Sequence, residues 1–187
     1  MKGAAPAAGP ASPDAGASPG FWDFSLKVYA DPATARACLD LQNRFDLDVN
    51  LLLFCLFAGR HGRRLSVDDL QRLDEAVLAW RTQVVHPLRA ARTWLKSAPA
   101  SVATEPLRRQ VLDAELAAEH QQQLLMEQRL PVAPGKADAD ACTANLRHYA
   151  AALGRPPGGP LDSALSALCT LATDAAARRR TPGPTAG

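Results

Sequence analysis

Four cations are spaced so that they could act together on an anion. Arg81, Arg89, Arg92 and Lys96 belong to one predicted helical segment. At 100° per residue they lie within an arc of about 80°, so that one face of the helix carries all four. Guanidinium and ammonium groups attract carboxylates and phosphates. The spacing therefore predicts, as one hypothesis, a surface that binds nucleic acid or an acidic ligand.

The same cations have acids elsewhere in the chain with which they could pair. Residues 81–109 contain six Lys or Arg and one acid, a net charge of +5 (6 − 1). Residues 110–140 contain two Lys or Arg and six acids, a net charge of −4 (2 − 6). Two neighbouring helices with these charges would pair within the molecule, where each exposed pair stabilises little. We favour this intramolecular pairing over a free basic surface.

Residues for catalysis or metal binding are not apparent. His61, His86, His120 and His148 lack the spacing to one another, or to Cys, Asp and Glu, that metal sites require. The chain also lacks a Glu-x-x-His pair, a GxSxG nucleophile motif and a GxGxxG phosphate-binding motif. We therefore predict no catalytic residue, no metal and no cofactor. An enzyme without a recognisable motif remains the third hypothesis, to be revived by a concave pocket with converging polar groups.

Composition and cysteine usage predict a cytoplasmic protein. Hydrophobic residues make up 47% of the 187 residues and the net charge is +2, which excludes a wholly disordered chain. The longest apolar run, 49–58, is far shorter than the roughly 20 residues that span a membrane. A secretory signal is not evident in the first 20 residues, and we expect reduced thiols. The four cysteines form no CxxC pair; they are Cys38, Cys55, Cys142 and Cys169.

The tryptophans and the arginines suggest a surface for a protein partner. Trp22 belongs to an aromatic-rich opening, whereas Trp80 and Trp94 flank the predicted kink at Pro87. The aromatic-rich opening, which also contains Phe21, Phe24 and Tyr29, and the kinked helix support docking through an apolar groove. The leading hypothesis is thus a non-catalytic adaptor that docks an unidentified protein partner, with no membrane contact. Its candidate surface comprises Trp22, Trp80, Arg81, Arg89, Arg92, Trp94 and Lys96.

Helical signals recur along the chain and strand signals do not. Asp31-Pro32, Asp48 and Ser66 are typical helix starts, and Pro87 should kink or divide one helix. We predict an all-α, single-domain bundle of about six or seven helices over residues 21–180, with halves 21–97 and 104–180. Residues 1–20 and 181–187 read as a disordered leader and tail, because Ala, Pro, Gly and Ser dominate them.

Apolar periodicity predicts which helix faces are buried. The segment 49–58 is apolar on nearly every side and should be the central helix. A heptad-like seam predicts burial of Leu70, Leu73, Val77, Trp80, Val84, Leu88, Ala91 and Leu95. In the helix 105–130 the residues available for burial are Leu107, Val111, Leu112, Leu116, Leu124 and Leu125, and in the helix 32–45 they are Ala35, Cys38, Leu39, Leu41 and Gln42.

The first half of the chain also resembles a known family. The resemblance rests on FWDFSL at 21–26, CLDLQ at 38–42, DLDVNLLLF at 46–54 and WR…VVHPLRAAR from Trp80 to Arg92. These elements resemble a family of small bacterial proteins of unknown function, found mainly in proteobacteria, over roughly residues 21–96. The resemblance implies a soluble, helical, cytoplasmic bacterial protein and no reaction or substrate.

Overall fold

The computed structural model of the chain describes residues 20–97, 104–155 and 158–178. The predicted tail, the leader apart from Gly20 and the segment between the two predicted halves lie outside these residues. Within them the structure is one all-α body without strands, which confirms the predicted fold class. The helices are α1 (Phe21–Tyr29), α2 (Pro32–Phe45), α3 (Val49–Arg60), α4 (Val67–Trp80), α5 (His86–Lys96), α6 (Glu105–Arg129), α7 (Ala139–Ala152) and α8 (Gly159–Arg178).

Side-chain caps start four of these helices, three of them at the predicted starts Asp31, Asp48 and Ser66. Asp31 accepts a hydrogen bond from the backbone nitrogen of Thr34 at 2.9 Å, and Asp48 accepts one from that of Leu51 at 3.0 Å. Ser66 and Asp69 form a reciprocal capping box at the start of α4. Asp138 caps α7 in the same way as Asp31 and Asp48 cap their helices. Each cap satisfies backbone N–H groups that lack an intrahelical partner.

Helix α3 lies at the centre of the hydrophobic core, as predicted. Every residue from 50 to 59 is buried. The rings of Phe54 and Phe57 lie 5.2 and 5.3 Å from that of Phe21, measured between centroids. On its other side α3 packs against α7, and Gly59 lies so close that a Cβ there would be 2.5 Å from the backbone nitrogen of Cys142. The absence of a side chain at Gly59 therefore permits the close approach of these two helices.

A buried asparagine joins α7 to the segment between α3 and α4. The Asn145 amide nitrogen donates to the carbonyls of Cys55 and Arg63, at 3.1 and 2.9 Å. Its oxygen accepts a hydrogen bond from the Leu65 backbone nitrogen at 2.7 Å. Because buried backbone groups need partners, Asn145 replaces hydrogen bonds that water would otherwise supply. It fixes the position of α4 relative to the core.

A π-helical turn, Arg81–Val85, joins α4 to α5 without a break, so the eight α-helices form seven continuous rods within the described residues. The sequence predicts a kink at Pro87, and the irregularity lies just before it. A π turn holds one more residue than an α turn, which shifts the following positions around the helix. Val85 is buried whereas Val84 is only partly buried, and Ala91 is exposed. The predicted burial of Ala91 was therefore wrong, because the 3.6-residue period is interrupted.

The predicted buried face of α6 was wrong in part: Val111, Leu112 and Leu125 are partly buried, and Leu125 packs against the core, but the other three leucines are not buried. Leu107, Leu116 and Leu124 are exposed, and so is Leu39 of α2. The α6 residues that face the interior are mostly polar: Glu115, Ala118, Gln122, Gln123 and Met126. Polar residues occupy this interface because they meet charged and polar groups of α3, α5 and the π turn. Leucine content therefore did not indicate the buried side of this helix.

Among the described residues, no helix is both long enough and apolar enough to cross a membrane.

Candidate interaction surface and polar interior

Two of the four predicted cations pair with a buried glutamate of α6. Arg89 Nε donates to Glu115 Oε1 at 3.2 Å, and Arg89 Nη2 donates to Glu119 Oε1 at 2.6 Å. Arg92 holds Glu115 through Nε and, at 3.2 Å, through Nη2. The Glu115 side chain is only 5% exposed. The prediction that these cations pair with acids of residues 110–140 is thus confirmed for Arg89 and Arg92.

Arg89, Arg92, Glu115 and Glu119 form a group that we call the Glu115 cluster. Burial and ion pairing have opposite effects on the pKa values of its side chains. Burial lowers the pKa of Arg89, but hydrogen bonds to Glu119 and Glu115 outweigh it and leave that pKa raised. The hydrogen bond to Glu115 raises the pKa of Arg92. Burial raises the pKa of Glu119, although Arg89 opposes the shift. Because a buried carboxylate without a partner is costly, the two arginines offset the cost of placing Glu115 in the interior.

The third predicted cation, Arg81, pairs elsewhere. Its Nη1 lies 2.7 Å from Asp74 Oδ1 and 3.9 Å from Asp48 Oδ2, on α4 and at the start of α3. Only 12% of the Arg81 side chain is exposed. Lys96 is exposed and makes no ion pair with any residue that the structure describes. The four cations therefore divide into two buried ionic groups and one free lysine.

Arg81 also lines a cleft of about 250 Å³ between α2, the π turn and α7. Its walls include Asp74, His86 and Tyr149. The Tyr149 hydroxyl accepts a hydrogen bond from the Asp48 backbone nitrogen at 3.0 Å. Burial raises the pKa of Tyr149 well above its ordinary value, so this hydroxyl remains protonated. The cleft is thus lined by charged and hydroxyl groups, and a π turn, a feature often found at functional sites, forms one wall.

Two buried glutamines of α6 extend the polar interior beyond the cleft. Gln122 Nε2 lies 3.4 Å from Asp48 Oδ1, and Gln123 Nε2 donates to Asn50 Oδ1 at 2.7 Å. The oxygens of both amides are buried without a partner among the described residues. Polar contacts thus run from the start of α3 to the middle of α6. They take the place of an apolar seam between these helices.

The three predicted tryptophans lie at different places. Trp22 is partly buried and stacks on His120 of α6, with ring centroids 4.4 Å apart. Trp80 is partly buried and donates its indole N–H to the carbonyl of Ala118 at 2.9 Å. Trp94 is 65% exposed, near the end of α5. Of the candidate surface residues, only Trp94 and the neighbouring Lys96 present mainly free side chains.

Sequence reasoning missed most of the residues that build the polar interior. Glu115 and Glu119 were recognised as negative charge, but nothing in the sequence marked Glu115 as buried. Gln122 and Gln123 carried no signal, because glutamine is usually a surface residue in helices. The four-residue spacing of Glu115 and Glu119 placed both on one face and was the available signal.

Comparison with known proteins identifies one family. The family model described as "Protein of unknown function (DUF2390)" matches residues 20–126, from the start of α1 to near the end of α6. This is more than half of the chain, and it extends beyond the resemblance predicted over residues 21–96. No curated protein and no solved structure matches the chain. The chain therefore belongs to the DUF2390 family of proteins of unknown function.

Proposed function

We propose that this chain is a non-catalytic, cytoplasmic protein-interaction module. It docks through the free end of the α5–α6 hairpin, by which we mean the end of α5 from Trp94 and the start of α6 from Glu105. The observation that carries the proposal is the exposure of Trp94. A tryptophan that is 65% exposed leaves a large apolar surface in water. Leu107, at the same end of the hairpin, is 51% exposed. Exposed tryptophan side chains are typical of the anchor residues by which proteins dock.

The α5–α6 hairpin suits this role because charge pairs rather than a large apolar core hold it. Helix α5 packs chiefly against α6 and the π turn. Val85 of the π turn and Leu95 of α5 are the buried apolar residues on this side of the pair, and neither belongs to the main hydrophobic cluster of the bundle. The Glu115 cluster fixes α5 against α6 through several charged hydrogen bonds. Trp94 is thus presented on an element of defined geometry, which lowers the entropic cost of docking.

Local charge indicates the chemistry of the partner. Near the free end of the hairpin, Lys96, Arg108 and Arg109 outnumber Glu105, a local net charge of +2 (3 − 1). Glu105 pairs with both Arg108 and Arg109, at 2.7 and 3.0 Å. Because one carboxylate balances only one of these positive charges, a net positive charge remains on the surface. We therefore infer a protein partner with an apolar pocket for Trp94 and an acidic rim. Nucleic acid is a less favoured partner. The acids of the Glu115 cluster already pair with Arg89 and Arg92, and Asp74 pairs with Arg81.

The test compares the intact chain with Trp94→Ala, Lys96→Glu and a control, Leu39→Ala, which removes an exposed apolar side chain from α2. Proteins retained from nuclease-treated and untreated lysate are identified, purified and measured by titration calorimetry. A tryptophan at the centre of an interface contributes about 2 kcal/mol or more, so Trp94→Ala should weaken the purified partner's binding roughly thirtyfold. Lys96→Glu should weaken binding more at low salt than at high salt, because salt screens the interactions of an exposed charge such as that of Lys96.

The proposal requires that Leu39→Ala bind like the intact chain. Equal binding by Trp94→Ala would overturn it. Retention that disappears on nuclease treatment would also overturn it and favour the nucleic-acid hypothesis.

The polar cleft supports a second candidate function, the binding of a small molecule that carries both charge signs. The supporting observation is the convergence of Asp74, Arg81 and Tyr149 in one concavity. It ranks second because Arg81 already pairs with Asp74, and Asp46 with Arg155 at 3.3 Å, so few cleft charges are free. Thermal unfolding with free L-amino acids, and with inorganic phosphate as a purely anionic probe, tests it. Stabilisation by an amino acid that His86→Ala abolishes would favour this function; no shift with either probe would remove it.

A further inference from the structure

A second cavity, of about 250 Å³, lies where α1, α3, α7 and α8 meet, and we call it the apolar recess. Phe24 of α1 and Leu56 of α3 line it and are buried. Ala139, at the start of α7, also lines it and is exposed, so the recess opens to solvent. Small side chains on α7 and α8 leave this space, because Cys142 and Ala172 stand where larger residues would fill it.

One cation lines the apolar recess without a partner. Arg60, in the last turn of α3, forms no hydrogen bond and no ion pair with any residue that the structure describes. The carbonyl groups at this end of α3 do not occupy it, because those of Ala58 and Gly59 accept hydrogen bonds at 2.9 Å from the backbone nitrogens of Arg63 and Gly62. A guanidinium is always charged and carries five N–H donors. Arg60 therefore brings unused donors and an unpaired positive charge to the recess.

The acid in the lining of the recess, Asp138, does not neutralise Arg60. Asp138 Oδ1 accepts a hydrogen bond from the Ala141 backbone nitrogen at 3.0 Å, at the positive end of α7. Its Oδ2 lies 3.9 Å from Nη2 of Arg64. Burial lowers the pKa of His61, and repulsion by the charge of Arg60 adds to this shift. The recess therefore combines apolar walls with an excess of positive charge.

We propose that the apolar recess binds a small apolar carboxylate, whose acyl chain packs against Phe24, Leu56 and Ala172 and whose carboxylate accepts hydrogen bonds from Arg60. Arginine binds a carboxylate through two parallel N–H groups. One unpaired arginine beside Asp138 matches a single negative charge, which favours a monoanionic carboxylate over a dianionic phosphate ester. An uncharged apolar molecule would leave the donors of Arg60 unused.

The size of the recess limits the length of the acyl chain. An apolar cavity of about 150 Å³ accommodates benzene, which has six carbon atoms. The recess, at about 250 Å³, therefore has room for an acyl chain of six carbons with its carboxylate at the open side. This inference does not depend on the proposed docking function, because Trp94 and the α5–α6 hairpin do not line the recess.

The probes of the test are sodium hexanoate, sodium butyrate, 1-hexanol and inorganic phosphate, each titrated into the intact chain by calorimetry at constant ionic strength. Hexanoate should bind about fifteenfold more tightly than butyrate, because it buries two more methylene groups. It should also bind at least about tenfold more tightly than 1-hexanol, which has no charge to pair with Arg60. Phosphate, which has no apolar part, should not bind.

The variant Arg60→Gln separates the charge from the apolar walls. It should weaken the binding of hexanoate at least about tenfold and leave that of 1-hexanol unchanged. Arg44→Gln is the matched control, because Arg44 lies in the last turn of α2 and does not line the recess. It should bind hexanoate as tightly as the unmodified chain does. Equal weakening by the two variants would show a general charge effect and refute the proposal.

Methyl NMR spectra of the chain labelled at alanine and leucine locate the bound probe. Hexanoate should shift the signals of Leu56, Ala139 and Ala172, and Ala172→Leu, which fills the recess, should abolish binding. Failure of hexanoate to bind, or shifts centred on Leu153 in the polar cleft, would refute the proposal. If circular dichroism shows that Ala172→Leu does not fold, the shifts in the unmodified chain and the Arg60→Gln result still decide the question.

Discussion

The amide nitrogen of Gln123 donates a hydrogen bond to the side-chain oxygen of Asn50 at 2.7 Å, in the interior of the bundle. Both side chains are buried. This contact joins the first turn of α3, the central apolar helix, to the middle of α6. It shows that α3, although apolar on nearly every side, meets α6 through polar groups at its N-terminal end.

Replacement of Asn50 tests the energetic value of this contact. Asn50→Leu removes the acceptor and leaves the buried amide nitrogen of Gln123 without it, so the free energy of unfolding should fall by about 1–3 kcal/mol. The double variant Asn50→Leu/Gln123→Leu removes both partners, and also removes the unpaired oxygen of Gln123. It should therefore recover most of the loss.

Urea unfolding of the single and double variants measures the coupling. Asn43→Leu, on the exposed side of α2, makes the same replacement at the surface and controls for the effect of adding a leucine. Additive losses in the double variant would show that the two amides do not support each other.

The local elements of this fold follow from the sequence, and the interior between them does not. Caps such as Asp31 and Asp48 act within a few residues, so they predict where helices begin. Helix α3 is apolar on nearly every side, so any fold must bury it. The face of α6 carries no such signal, because Glu115 and Gln122 become buried only through partners distant in sequence.

The candidate site was predicted in outline for a similar reason. Charge sums predicted that cations of α5 pair with acids of α6, which holds for Arg89 and Arg92. They did not predict the Asp74 partner of Arg81, because Asp74 lies on the preceding helix α4 and outside the acidic residues 110–140.

The Glu115 cluster predicts unequal effects of removing its acid and its bases. Glu115 is 5% exposed, whereas the Arg89 and Arg92 side chains are 27% and 28% exposed and can turn to solvent. Glu115→Gln should therefore cost less than Arg89→Met/Arg92→Met, which leaves a buried carboxylate unpaired and should cost about 3–5 kcal/mol at neutral pH.

The pH dependence distinguishes this explanation from a loss of packing. Burial already raises the pKa of Glu119, and Arg89 opposes that shift. Without the arginines this carboxylate takes up a proton more readily than in the unfolded chain, so the penalty in the double arginine variant should shrink as the pH falls towards about 4. Thermal unfolding at pH 7 and pH 4 measures it. A penalty that is the same at both values would point to lost arginine packing instead.

The capping box of α4 predicts a pH dependence in the stability of the unmodified chain. The backbone hydrogen bond from Ser66 lowers the pKa of Asp69, helped by the Ser66 hydroxyl and Arg72 against partial burial. Because the folded pKa is lower than the unfolded value of about 3.9, this interaction stabilises the fold above that value and is lost as the pH falls through the folded pKa.

Asp69→Asn should accordingly reduce stability by about 1 kcal/mol at pH 7, the usual contribution of a cap, and by less at pH 3. Denaturant unfolding at the two pH values measures the difference. Asp68→Asn, in the same turn, removes a charge near the helix start and not the reciprocal hydrogen bond, and it is the matched control. Equal losses for both variants would show that Asp69 acts only through the helix dipole.

Gly59 tests how tightly α3 packs against α7. A Cβ at this position would lie 2.5 Å from the Cys142 backbone nitrogen and sulfur, and 2.6 Å from its Cα. Backbone atoms of a packed helix cannot give way locally, so Gly59→Ala should force the two helices apart and cost about 1–3 kcal/mol, despite alanine's better helix propensity. Gly158→Ala is the control, because a Cβ there would meet nothing within 4 Å. Chemical denaturation of both variants measures the effect, and a stabilised Gly59→Ala variant would show that α7 adjusts freely.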